Sequence, residues 1–129
     1  MSSKGVIVCV DDEMTVLDTL NTQLKNTFGG KYLIEIAESG EEGLEVLDEL
    51  IEDGYEIKLI ITDFLMPEMK GDEFLINVKK KEINAIKILL TGHAPEENIK
   101  RAFEEGGLDH HMAKPWLKEE LETKLKSLI

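Results

Sequence analysis

The sequence predicts an α/β fold: a parallel sheet of five strands with helices packed on both faces. Three observations carry this. Five apolar strand candidates alternate strictly with five helix candidates along 129 residues. The first, third and fourth strands are nearly unbroken apolar runs, as expected where both faces of a strand are covered. Polar groups stand directly after the strands, at the rim where parallel sheets gather ligands. Strict alternation also requires crossovers, which are right-handed in nearly all sheets.

The first strand is expected at 6–10, Val-Ile-Val-Cys-Val. Leu17, Leu20, Leu24 and Phe28 then mark a helix that stops at Gly29-Gly30. The second strand is expected at 32–37. Ser39 and Glu42 form a capping-box pattern ahead of Leu44, Leu47 and Ile51 in the second helix. The third strand, 59–62, runs up to Asp63. Phe74, Leu75 and Val78 mark the third helix, and Lys79-Lys80-Lys81 suits its solvated, cation-favouring end. The fourth strand is expected at 86–90. Pro95 suits the first turn of the fourth helix, which carries Ile99, Ala102 and Phe103 and stops at Gly106-Gly107. The fifth strand, 109–113, is the least apolar. Leu117, Leu121, Leu125 and Leu128 mark the fifth helix. No repeat, low-complexity segment or linker interrupts this order. Residues 1–129 therefore read as one domain, either a whole protein or one cut from a longer chain.

Composition narrows the function. A formal charge of −12 repels phosphate backbones, so direct nucleic-acid binding is not expected. No apolar run approaches the length of a membrane span, and no basic-then-apolar leader opens the chain. The single cysteine, Cys9, lies inside the first apolar run and reads as a buried, inert thiol. A cytoplasmic address is the expectation.

The chemistry collects after the strands. Asp11, Asp12 and Glu13 follow the first, Asp63 the third, Thr91 and Gly92 the fourth, and Lys114 and Pro115 the fifth. Glu38 and Ser39, after the second, read as capping residues. Carboxylates brought together either raise one another's pKa or recruit a cation. An all-oxygen donor set suits Mg²⁺, which keeps several waters and bridges to phosphate. Lys114 adds an ammonium and Thr91 a hydroxyl, the electrostatic parts of phosphoryl transfer. Asp63 is the expected nucleophile, since carboxylates form acyl phosphates. Taken singly, each residue has a plainer explanation: an Asp after a strand is usually a cap or turn residue, and Lys-Pro is usually a loop. Coincidence accounts poorly for all four motifs in strand order.

With these residues, Asp11-Asp12, Asp63 with Met66-Pro67 and Gly71, Thr91, and Lys114-Pro115, the chain resembles the receiver domain of two-component response regulators, the CheY-like fold. The resemblance covers essentially the whole chain. Leu90-Thr91-Gly92-His93-Ala94 and Lys114-Pro115-Trp116 look like a common receiver subgroup. It implies a doubly wound, three-layer (βα)5 sandwich of flavodoxin/CheY type, with sheet order 2-1-3-4-5. It implies that Asp63 accepts phosphate from a histidine kinase or phosphotransfer protein. Asp12, Asp63 and the backbone carbonyl of Leu65 would hold Mg²⁺, with Asp11 acting largely through water. Thr91 and Lys114 would contact the phosphoryl oxygens. The face of the fourth helix, fifth strand and fifth helix would report the state to a downstream protein or linked effector domain. A phosphorylation-dependent dimer is also compatible with it. Such a domain phosphorylates and dephosphorylates itself but is not a turnover enzyme.

The chain departs from the family pattern in three places. Receivers often carry Tyr or Phe three residues before the lysine; here that residue is His111, preceded by His110, so different switching is expected. Leu65 and His93 occupy positions that tune dephosphorylation in the family. An apolar Leu65 cannot orient an attacking water, so slow self-hydrolysis is expected. His93, His110 and His111 read as surface histidines, not a transition-metal site, because neighbours on a strand point to opposite faces. Met66 and Met69 read as loop packing. Two other functions compete. A Mg²⁺-dependent phosphohydrolase would want an acid two residues beyond its nucleophile, where Leu65 stands. A phosphorylation-independent binding module would leave the acidic constellation without a role.

Overall fold

The computed structural model describes residues 5–129. Strand and helix alternate throughout: β1 Gly5–Val10, α1 Met14–Phe28, β2 Leu33–Ala37, α2 Gly40–Glu52, β3 Glu56–Asp63, α3 Gly71–Lys80, β4 Ile86–Thr91, α4 Glu96–Gly106, β5 His110–Ala113 and α5 Lys118–Leu128. All strand pairs are parallel, in the order β2-β1-β3-β4-β5. This is the doubly wound sandwich expected.

The alternation of side chains along the strands divides the core in two. Val6, Val8 and Val10 of β1 join Ile60, Leu89 and the inner faces of α2, α3 and α4. Ile7 and Cys9 point the other way and pack with Ile61, Ile88 and the apolar stripes of α1 and α5. Each half buries enough apolar surface that neither helical layer needs further support. Cys9 is fully buried, and burial followed by the Asp11 charge pushes its thiol up to about 12, so it is inert.

Helix ends follow the local chemistry. Ser39 Oγ accepts the Glu42 N–H at 3.1 Å, the first half of the expected capping box. Lys81 closes α3 and its Nζ meets Asp48 Oδ1 at 2.8 Å.

Four expectations shift. The third strand is longer than 59–62, because Glu56 and Ile57 also pair with β1 across a register irregularity at Val6/Ile7. Pro95 is the residue before α4, not within its first turn. Leu117 precedes α5 and is 70% exposed, while Phe103 and Ile51 stand 40% and 46% exposed on their helices. Lys87, inside an apolar strand, is buried, with its Nζ reaching the Ala85 carbonyl at 3.2 Å. Its amine is shifted below the ordinary lysine range by burial. Among the described residues, no helix is long and apolar enough to cross a membrane.

Candidate functional site

Strand register brings the site together. β1 and β3 are neighbours, and Val10 pairs with Thr62. Asp11 and Asp63, each one residue further on, therefore emerge side by side. Asp63 pairs in turn with Leu90, so Thr91 lies one step beyond it. Thr91 pairs with Ala113, which places Lys114 just past the rim. Four strands thus deliver one chemical group each to the same edge. Asp12 joins them from the first loop.

Carboxylate oxygens of Asp11, Asp12 and Asp63 lie within 4.8 Å of one another. Among the described residues, no other group of acids, histidines or thiols is assembled for a metal in this way. Asp11 and Asp63 are buried and Asp12 is exposed, so the cluster opens to solvent on one side. Lys114 Nζ meets Asp11 Oδ2 at 2.8 Å and Asp63 Oδ1 at 3.4 Å. Asp11 Oδ1 also accepts the Glu13 N–H at 2.9 Å, and Asp63 Oδ1 accepts the Phe64 N–H at 2.9 Å. Thr91 Oγ1 accepts the His93 N–H at 3.1 Å, which leaves the hydroxyl proton free to donate elsewhere. The Lys114–Pro115 peptide is cis.

Burial, followed by the charge of Asp11, pushes the Asp63 carboxyl up to about 6. Lys114 and the Phe64 N–H pull it down, but less strongly. For Lys114, burial works against its charge, yet the hydrogen bond and charges of Asp11 and Asp63 win and hold it above its ordinary range. The site thus carries more carboxylate than one lysine can balance. That excess is what a divalent cation relieves.

The acids open into a cavity of about 690 Å³, whose walls include Asp12, Asp63, Thr91 and Lys114. Leu65 and His93 stand at its rim, and Leu65 is 63% exposed. Met66 also lines it, but is buried in the core, and Met69 packs against Gly40. Gly71 explains how α3 starts so near: its N–H donates to the Phe64 carbonyl at 2.8 Å, and a Cβ there would collide with the Asp63 carbonyl oxygen. His111 lies outside the cavity. It is exposed on β5, its ring edge-on to Phe103 of α4 at 5.9 Å.

One buried acid was not legible in the sequence. Asp72, at the start of α3, is 1% exposed and bonded to α4. In the sequence it looks like any acid in a first helical turn.

The fold and this acidic pocket define a class, and the comparisons agree on it. The family model for the response regulator receiver domain matches residues 7–126. The chain belongs to that family. The receiver domain of a Clostridium thermocellum response regulator superposes with a TM-score of 0.82 at 30% identity, over 97% of this chain and 94% of that one. The two-component response regulator ORR3 of Oryza sativa is 32% identical, covering 84% of each protein. The hybrid signal transduction histidine kinase D of Dictyostelium discoideum is 27% identical over 98% of this chain but 8% of its own length. The chain spans less than half the length of several curated relatives it matches.

Proposed function

We propose that the chain is a phosphorylation-operated switch in which Asp63 is the phosphoacceptor and residues 1–129 act as a single domain. The observation that carries this is the junction of Asp63 with Asp11, Asp12 and Lys114 at the mouth of one cavity. An Asp63 oxygen bonds to phosphorus as the bond from phosphorus to a donor histidine nitrogen breaks, and that nitrogen keeps the electron pair. Lys114 neutralises a phosphoryl oxygen, and the Thr91 hydroxyl donates its proton to another. Asp12, Asp63 and the Leu65 backbone carbonyl hold Mg²⁺, with Asp11 behind them. The ion supplies positive charge beside the transferring oxygens. The donor set fits it: oxygen ligands only, one of them exposed.

Thr91 then turns from His93 toward the phosphoryl group, and the α4–β5–α5 face, with His111 on it, reports the change. The donor is a histidine kinase or phosphotransfer protein; the receiver of the signal is a protein or a linked effector domain, in a cytoplasmic setting. The domain acts on itself and is not a turnover enzyme. The phosphohydrolase alternative gains nothing from the pocket, where an apolar Leu65 occupies the acid's position.

The test is incubation with a small acyl phosphate and Mg²⁺, followed by intact mass. A phosphate-sized gain is expected, absent in Asp63→Asn and absent with chelator. No gain in the native protein refutes the reading.

A further inference from the structure

Apolar burial anchors α4 only lightly. Of its 11 residues, Ala102 and Gly106 are buried, Ile99 is half-buried and Phe103 is exposed. A polar clasp takes up the load. Asp72, the second residue of α3, has its carboxylate almost wholly buried. Its Oδ1 accepts the Glu73 N–H at 3.0 Å. Its Oδ2 accepts Asn98 Nδ2 at 3.0 Å and Arg101 Nη1 at 3.2 Å. Asn98 and Arg101 both lie in the first two turns of α4. A buried carboxylate stripped of such partners is expensive to leave in place.

The same clasp is tied to the phosphoacceptor. Gly71, immediately before Asp72, is wedged against the Asp63 carbonyl and bonded to Phe64. Asp72 therefore keeps a fixed relation to the segment that carries Asp63. On the other side, α4 follows the loop in which Thr91 Oγ1 holds the His93 N–H. At its far end, α4 again presses on α3, where a Cβ on Gly106 would lie 3.0 Å from Leu75 Cβ. The docked helix and the turned-in Thr91 occur together, in one arrangement.

We propose that the Asp72–Asn98–Arg101 clasp is a conformational latch, holding α4 and the Thr91 loop in the unphosphorylated arrangement; this rests on the phosphoacceptor reading of Asp63. Hydrogen bonds to a buried charge are directional, so α4 is either clasped or released and does not drift between. A phosphoryl group that draws Thr91 inward works against this latch. By reciprocity, weakening the latch favours the phosphoryl-bound state.

Three variants test this: Asp72→Asn, which keeps shape and removes charge, and Asn98→Ala and Arg101→Gln, at more accessible positions where misfolding is not at issue. Amide hydrogen exchange is read across residues 96–106, and beryllofluoride binding with Mg²⁺ is measured by calorimetry. Exchange in α4 is expected to speed up about tenfold, with α3 unchanged because Phe74, Leu75 and Val78 anchor it. Beryllofluoride is expected to bind several-fold more tightly. Unchanged exchange, or unchanged affinity, overturns the latch while the native protein still takes up beryllofluoride. A native protein that takes up none overturns the phosphoacceptor reading, and the coupling with it.

Discussion

Asp63 is strained by its own surroundings, and that strain can be measured. Its carboxyl titrates near 6 in the folded chain against an ordinary 3.8. Between those values the folded chain keeps a proton that the unfolded chain has lost. Stability therefore falls as pH climbs through the window, and the full penalty is present above it. Asp63→Asn removes the penalty. In metal-free protein above about pH 7, the variant is expected to be more stable by about 1–2 kcal/mol, allowing for the open cavity mouth. The gap should close near about pH 4; denaturant melts at both values check it. Leu65→Asn places a polar group at the exposed rim, and the aspartyl-phosphate lifetime should shorten several-fold. If His111 relays the state, His111→Ala will alter phosphorylation-dependent partner binding while leaving phosphorylation itself intact. The site acids were legible because each follows a strand, and register does the rest. Asp72 was not, since its partners stand 26 and 29 residues further along.

At the scale of elements, period and run length identified all five strands and all five helices. Edges were harder. Helical spacing could not tell that Leu117 lies before its helix, or that Phe103 faces a thin edge strand whose cover is His111. Both depend on what the neighbouring element offers, which local pattern does not carry. The start of α3 is the most constrained junction. Gly71→Ala is expected to destabilise the domain by about 1–3 kcal/mol through overpacking. It should also slow phosphorylation, because the displaced group is the backbone of Asp63. Melting temperature and the rate of mass gain measure the two effects separately.

Over the whole molecule, fold and cation are thermodynamically linked. If the acidic trio holds Mg²⁺ only when folded, adding the ion raises stability, by about 2.7 kcal/mol at a hundredfold excess over its dissociation constant. The rise should vanish with chelator and be much reduced in Asp12→Ala, an exposed ligand whose loss leaves the core alone. Thermal melts at graded Mg²⁺ provide the measurement. Net charge, −12, was plain from composition, but its local concentration at the carboxyl rim needed the sheet order.

Glu13 and Glu68 also line the cavity mouth, opposed there by Lys70 and Lys114. An incoming dianionic donor thus crosses a threshold guarded by acids, and the approach improves once a divalent ion has discharged part of that barrier. Reaction kinetics should accordingly follow a compulsory sequence, ion before donor, with high donor concentration unable to substitute for missing magnesium.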